Sequence, residues 1–427
     1  MSKISSDRIS RWFFAASCIV LTFLGGFLVC RYQFFPYPVI RRAIDAVAAP
    51  FAEPGQHLFP VRYRHVGVTI HDRSAIAPGV TLLTSFWPES DWGAGIRIID
   101  QDGRVLHHWD IAKVWPKSPH TYVHGSYLFP NGDVLFNVEY LGIARVNACG
   151  DVVWKRTDRA HHSISRTDSG DFWVSGMKWV SEEDHRADQY PALIPPYAEQ
   201  YAWKISPDGK LLSEISVLKA LYNSPYRKLL WTSGTRTRDV THLNDVEELS
   251  GKMAARYPMF AAGDLLVSSR TISTIFVMSQ EGAIKWLASE PFNHQHDPDF
   301  ENDGWITVFD NRMDDTDDGR YLGGSAIVAI NPATNQVRPV YAGSGNDKFH
   351  TDAAGKHQLL DNGNRLITES RAGRVFEVNP AGKLVAEWVQ QPYDDKRVPE
   401  VLEGTRYNLS PEVVAAWPCS QNAPKRN

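Results

Sequence analysis

Residues 292–300 read FNHQHDPDF, with His294 and His296 one residue apart and Asp297 and Asp299 close behind. Two imidazoles on one face of a strand, followed by carboxylates, can ligate a metal, attack or protonate a substrate, or end a strand. Histidines also stand ahead of HDRSAIAPGVTLL (His71), HGSYLFPNGDVLF (His124), HSISRTDSGDFWV (His162) and HQLLDNGNRLIT (His357). In four of the five stretches, counting that from His296, a glycine follows eight residues later (Gly79, Gly132, Gly170, Gly304), and in the fifth Gly363 follows after six. Each glycine leads through a turn into a short apolar or alternating run, the pattern of turn then strand.

These starts belong to a larger repeat. IRIIDQDGRVLHHWDI, ARVNACGDVVWKR, AWKISPDGKLLSEI, IFVMSQEGAIKWL, AIVAINPATNQVRPV and VFEVNPAGKLVAEWV are six versions of one hairpin. A sixth leading strand is predicted at Leu265, after extra residues that follow His242, and SVLKALYNSPYRKLLW reads as a helical insertion. Six hairpins and six leading strands over about 330 residues give units of roughly 55 residues, which points to an all-β, six-bladed β-propeller. A β-sandwich is the alternative, but it gives no reason for sixfold self-similarity. In a propeller, positions at one phase of every repeat form a ring. If the leading strands are innermost, His71, His124, His162, His242, His296 and His357 gather at one mouth of the channel.

Imidazoles around a funnel can bind a metal, shuttle protons or attack an electrophile. Asn244 follows His242 by two residues and so faces the same side, and LLVSSR places Arg270 at the end of another strand. Arg and Asn donate hydrogen bonds and Arg repels cations, so His, His, Asn and Arg together suit an anion better than a metal. DDTDDG (314–319) lacks the third-position acid of a calcium loop and has Ser325 at its twelfth position, so it reads as a solvated loop.

The scaffold around these residues is legible in outline. The chain has 427 residues, 22% charged and 43% hydrophobic, a globular balance, and its net charge of −4 argues against a nucleic-acid partner. Residues 12–30 carry no charge and lie between Arg11 and Arg31, and as a helix they would span about 28 Å, a bilayer's hydrocarbon thickness. No polar stripe marks a core helix and no small-x-small site follows, so we read a transmembrane anchor. The reading divides the chain into a tail (1–11), the anchor (12–30), a Pro-rich connector (31–60), the propeller (61–395) and a C-terminal extension (396–427). Lys3, Arg8 and Arg11 before the span nearly balance Arg31, Arg41 and Arg42 after it, leaving sidedness open. Cys149 and Cys419, outside the span, could pair in an oxidising compartment.

The stretches DVTHLNDVEEL…GDLLVSSRTISTIFVMSQEGAIKWL, FNHQHDPDFENDGWITVFDNR and DRAHHSISRTDSGDFWVSG resemble the arylsulfate sulfotransferases, from about residue 65 to 390. The resemblance is most specific in His-x-Asn followed by Ser-Ser-Arg, and in Gln-His ahead of the FDN strand. It implies a six-bladed propeller that moves a sulfuryl group from an aryl sulfate to a phenol through a sulfohistidine, without nucleotide sulfate, cofactor or metal, on the periplasmic side of the membrane. It makes His296 the nucleophile, with His242, Asn244 and Arg270 holding the sulfuryl oxygens and assisting proton transfer. His162 is a further site histidine, although His124 occupies the same repeat phase. About ten extra residues between His242 and Arg270 mean that Arg270 is matched by its strand motif rather than by spacing. His124, His357, His294 and Arg371 are candidates for substrate contact, and which of His294 and His296 faces the channel stays open. Phe292, Trp305, Phe309 and Phe349 read mostly as core, and Asp297 and Asp299 as a turn at the mouth. A metal-dependent propeller hydrolase of lactonase type and a non-catalytic binding propeller are the other readings.

Overall fold

The computed structural model describes residues 6–32, 35–36, 39, 55–118, 120–186, 188–232, 238–343 and 348–419. Most of the connector, the flanking charges Lys3, Arg41 and Arg42, and the last eight residues lie outside them. The chain forms two units, and the described residues of the smaller include the α-helix Ser6–Tyr32. Its segment Ser10–Val29 has a mean hydropathy of 2.1, long and apolar enough to cross a membrane, as an anchor or a signal. Trp12, Phe13, Phe14 and Phe23 on it are exposed.

Among the described residues the larger unit contains six antiparallel sheets of four strands in up-and-down order, two with an added strand, and a two-stranded pair, Leu58–Pro60 with Arg397–Pro399. The six hairpins read from the sequence are the third and fourth strands of the six blades, for example Gly142–Val146 with Val152–Arg156 and Arg374–Val378 with Leu384–Val389. The innermost strands are Glu403–Tyr407, Val123–Leu128, Arg159–Arg166, Leu243–Glu248, His296–Phe300 and Lys356–Leu359, for blades one to six. Each touches the innermost strand of the next blade, and the last returns to the first, so the circle is closed.

Six apolar clusters sit between neighbouring blades, one in each gap. Leu82 packs toward blade two and its neighbour Leu83 toward blade six, as strand alternation requires. The second strands are buried on both faces, which is why Val134–Val138 and Ile306–Asp310 are mostly apolar, broken only by Asn137, Thr307 and Asp310. Each fully buried Leu, Phe or Val contributes about 1.5–3 kcal/mol. The fold is therefore held by the gaps, leaving the inner strands free to carry polar side chains.

Closure departs from the reading above. Glu403–Tyr407, assigned there to a C-terminal extension, is the inner strand of blade one and pairs with Val80–Trp87. His71 consequently leaves the ring. It follows the strand Gly67–Ile70 on the outer edge of blade six, where its Nε2 lies 3.5 Å from Glu387. Its spacing to Gly79 matches the repeat, but the chain between them holds the 3-10 turn Arg73–Ala75 instead of an inner strand.

Beyond the closing strand, Trp417 packs into the cluster between blades one and two, and Cys149 is disulfide-bonded to Cys419 across 270 residues of sequence. A cross-link over so long a loop restricts the unfolded chain strongly. Replacing both cysteines by serine is expected to lower the stability of the propeller by about 2–4 kcal/mol, read from denaturant midpoints. The insertion after the outer strand of blade three is helical as expected, with turns at Val217–Tyr222 and Leu229–Thr232.

Candidate active site

A cavity of about 280 Å³ is lined by His124, His162, His242, His296, Arg270 and Arg371, from blades two to six. Four of the six ring histidines thus converge. The rings of His124 and His162 are 4.1 Å apart, His162 and His242 4.9 Å, and His162 and His296 6.2 Å. The approach of blades two and three is close enough to require glycine beside His124, since a Cβ at Gly125 would sit 2.0 Å from the His162 carbonyl oxygen.

Bulges aim these side chains. The inner strands shift register between Val123 and Ser126, His161 and Ile164, Leu243 and Asp245, and His296 and Asp299. His162, His242 and Asp297 adopt φ of +50°, +48° and +49°. An extra residue in one strand re-aims the side chains next to it, which simple alternation does not predict.

His296 is held in a single tautomer. The buried amide of Asn311 donates from Nδ2 to the carbonyl oxygens of Thr351 (2.8 Å) and Ala354 (2.7 Å), so its Oδ1 is the atom that meets His296 Nδ1 at 2.8 Å. An oxygen there requires a proton on Nδ1, and the lone pair of neutral His296 therefore stands on Nε2, which has no partner. Burial, then Arg270, pushes the His296 pKa well below its ordinary value, so the ring is neutral. Gln295 fixes the backbone beside it, donating to Ser268 Oγ and the Thr274 carbonyl, both at 3.0 Å.

Arg270 extends from the end of Leu265–Ser269, where its backbone N–H donates to the His242 carbonyl at 3.0 Å. That pairing, not the spacing along the chain, sets it beside His242. Its Nε is buried without a partner, and among the described residues it forms no ion pair. A guanidinium without a carboxylate, next to a bare imidazole nitrogen, is a site for an anion with an electrophilic centre. Arg371 differs, being paired with Asp352 and lying 4.6 Å over the Phe59 ring.

The remaining candidates fall as follows. Asn244 lines a smaller cavity of about 40 Å³ that shares His124, His162 and His296, and its Nδ2 donates to the Gln295 carbonyl at 2.8 Å. His294 is half-buried, bonded to Asn293 Oδ1 at 2.8 Å, and lines neither cavity, so His296 is the one that faces inward. His357 stands on the inner strand of blade six but lines neither cavity, with Nδ1 3.0 Å from Arg365 and 3.2 Å from Asp299. Asp297 and Asp299, read as a turn at the mouth, instead run along the inner strand. Burial holds Asp297 above the ordinary carboxylate range, against the pull of Lys356.

Several functional neighbours carried no motif. Glu139 accepts from His124 Nδ1 at 2.8 Å, and although burial would raise its carboxyl, the neighbouring His124 keeps it below the ordinary range. Asp239 accepts from both the backbone and Nδ1 of His242. Phe59, Tyr122 and Tyr140 form the aromatic wall of the cavity, while Phe292, Trp305, Phe309 and Phe349, the sequence candidates for such a wall, do not line it, and Phe292, Phe309 and Phe349 are core. Ligand atoms of His124, Glu139 and His162 lie within 4.8 Å of one another, as do those of Asp297, Asp299 and His357, so either group could hold a cation.

The family model for arylsulfotransferase (ASST) matches residues 125–391, more than half of the chain and nearly all of this site. The chain belongs to the arylsulfotransferase family. The match supports arylsulfotransferase-type activity, with aryl sulfates and phenols as the implied substrates. No curated protein matches this arylsulfotransferase-family chain. Among solved structures, it is similar to a protein of unknown function from Bacteroides caccae, at 14% identity over 73% of this chain and 94% of that one, with a TM-score of 0.48. A catalytically inactive virginiamycin B lyase from Staphylococcus aureus with quinupristin is 12% identical over 78% of this chain and 86% of that one (TM-score 0.41). The WD40 propeller domain of Doa1 is 12% identical over 82% and 97% (TM-score 0.40). Likenesses this distant carry no information about activity.

Proposed function

We propose that this protein transfers a sulfuryl group from an aryl sulfate to a phenol through a sulfohistidine at His296. The observation that carries the reading is the partnerless Nε2 of His296 facing a cavity with an unpaired guanidinium, Arg270. In the first half-reaction Nε2 attacks sulfur, the sulfur–aryloxy bond breaks, and the phenolate takes a proton from His242. In the second, the acceptor phenol returns a proton to His242, its oxygen attacks sulfur, and the nitrogen–sulfur bond breaks to restore neutral His296.

Arg270 balances the sulfuryl oxygens as charge moves toward the leaving group. Asn244 holds the backbone at His296 through the Gln295 carbonyl, and His162 and His124 with Glu139 complete the wall. Phe59, Tyr122 and Tyr140 give the aryl ring an apolar face. A cavity of about 280 Å³ suits one aryl group at a time, in keeping with transfer in two halves.

The disulfide supports placing the propeller in an oxidising, extracytoplasmic compartment, with the N-terminal helix as its membrane anchor. The full chain, incubated with a chromogenic aryl sulfate, should release phenol in an acceptor-dependent way, and folded protein that releases none with any phenol contradicts the reading. Asn311→Leu should lower turnover of the folded protein by about 10- to 100-fold by freeing the His296 tautomer, and should also cost about 1–3 kcal/mol of stability for each of the Thr351 and Ala354 carbonyls left without a donor. The His124, Glu139 and His162 cluster favours a second reading, a metal-dependent hydrolase, which predicts stoichiometric metal by elemental analysis and loss of activity with chelator.

A further inference from the structure

Five side chains beside the nucleophile close a ring of hydrogen bonds. Asp239 meets His242 Nδ1, and His242 Nε2 lies 3.3 Å from His162 Nε2. His162 Nδ1 lies 2.9 Å from His161 Nδ1, and His161 Nε2 lies 2.8 Å from Gln200 Oε1. Gln200 Nε2 then donates to Asp239 Oδ1 at 2.9 Å. Gln200 and His161 are fully buried and line neither cavity at the nucleophile. Asp239 reaches Gln200 because the short strand Arg238–Asp239 adds in parallel to Tyr197–Ile205.

The protons on this ring can be assigned from one end. A carboxylate only accepts, so Gln200 must turn its amide nitrogen to Asp239 and its oxygen to His161. An oxygen acceptor puts a proton on His161 Nε2. The four contacts from Gln200 to Asp239 each need one proton and run through three imidazoles, so one ring carries two. The Asp239 carboxylate draws the second to His242, which leaves His161 neutral with a bare Nδ1. That nitrogen can only accept, so His162 carries its proton on Nδ1, where Glu139 Oε1 also lies 3.3 Å away. The same count leaves His162 neutral, with no second proton for its Nε2. Its bare Nε2 in turn requires a proton on His242 Nε2. On the other side, Asp239 requires one on His242 Nδ1.

Resting on the sulfuryl-transfer reading, we infer that Gln200 and His161 are positioning residues that hold His242 as an imidazolium, the charged acid that protonates the departing phenolate. The ring fixes where the extra proton stands: on His242, next to the Asp239 carboxylate, and not on His161 or His162. Asp239 is kept ionised, at about 2, by His242 against the effect of burial. When His242 Nε2 gives its proton to the phenolate oxygen, two bare nitrogens are left facing each other at 3.3 Å. That arrangement is relieved when the acceptor phenol delivers its proton, so the same ring drives the second half-reaction.

The test is histidine-selective ¹⁵N labelling of the full chain, with the His242 signals assigned from their loss in His242→Gln. Both nitrogens of His242 should carry protons near neutral pH, with one each on His161 and His162, and Gln200→Leu should return His242 to a neutral pattern. His242 found neutral in the native chain, or an imidazolium untouched by Gln200→Leu, overturns the inference. Kinetics give a second readout, because a proton donor matters more for poor leaving groups. Gln200→Leu, or Gln200→Met where the first does not fold, should slow transfer from phenyl sulfate about tenfold more than from nitrophenyl sulfate. Equal losses would mean that Gln200 only supports the fold. A native chain that transfers nothing from either ester contradicts the sulfotransferase reading, and the labelling result still decides the ring.

Discussion

His296→Ala is expected to reduce sulfuryl transfer by on the order of 10⁴-fold or more while leaving the propeller folded. The size follows from the role: without Nε2 there is no covalent path, and only binding and orientation remain to assist direct attack by the acceptor. Folding should persist because His296 makes its hydrogen bonds at Nδ1, to Asn311 and the His294 carbonyl, and the apolar gaps between blades do not depend on it. The same environment sets a pH dependence. A histidine attacks only when neutral, and burial with Arg270 places its folded pKa well below the ordinary ~6.5. Lowering the pH through 6.5 therefore leaves His296 nucleophilic, and the acid limb of the sulfation half-reaction should lie below that of a free imidazole. Pre-steady-state phenol release as a function of pH measures it directly.

Arg270→Gln should cost about 10²- to 10³-fold in kcat, with a smaller change in KM. The guanidinium forms no direct ion pair among the described residues, Asp239 and Asp352 acting on it only at longer range, so its donors are available to the sulfuryl oxygens. Those oxygens must be held while the aryloxy bond breaks. Burial lowers the pKa of Arg270 from its usual value but leaves it a cation at any pH the protein meets. Arg270→Lys should recover only part of the loss, because a point charge does not reproduce a planar fork of donors. An Arg270→Gln chain that kept its full kcat would show that the charge acts elsewhere.

The propeller was legible because its outer hairpins repeat one pattern, apolar strand, polar turn and strand, in all six blades. Its closure was not, since Glu403–Tyr407 lacks a histidine start and lies some 320 residues from the strand it joins (403 against 80–87). The same fact explains why His71 was drawn into a ring that it does not enter. His124, His162, His242 and His296 were found because each leads an inner strand, and Arg270 because a strand end can be read. His357 leads one too, yet points elsewhere, as its strand, paired to Arg365–Glu369 in unbroken register, lacks the bulge that re-aims the other four. Asp239, Gln200 and Glu139 carry no periodic signal: they reach the histidines through a parallel strand after an insertion, a blade interior and a neighbouring loop. Asn311 lay inside the FDN stretch, but only the carbonyls of Thr351 and Ala354 reveal which way its amide points.

Covalent transfer is tested most directly by exposing the full chain to an aryl sulfate without acceptor and mapping the adduct by mass spectrometry. The account predicts one added sulfo group per chain, on the peptide containing His296 and discharged by a phenol. A chain that releases phenol yet never gains that mass, or gains it on another residue, would contradict it.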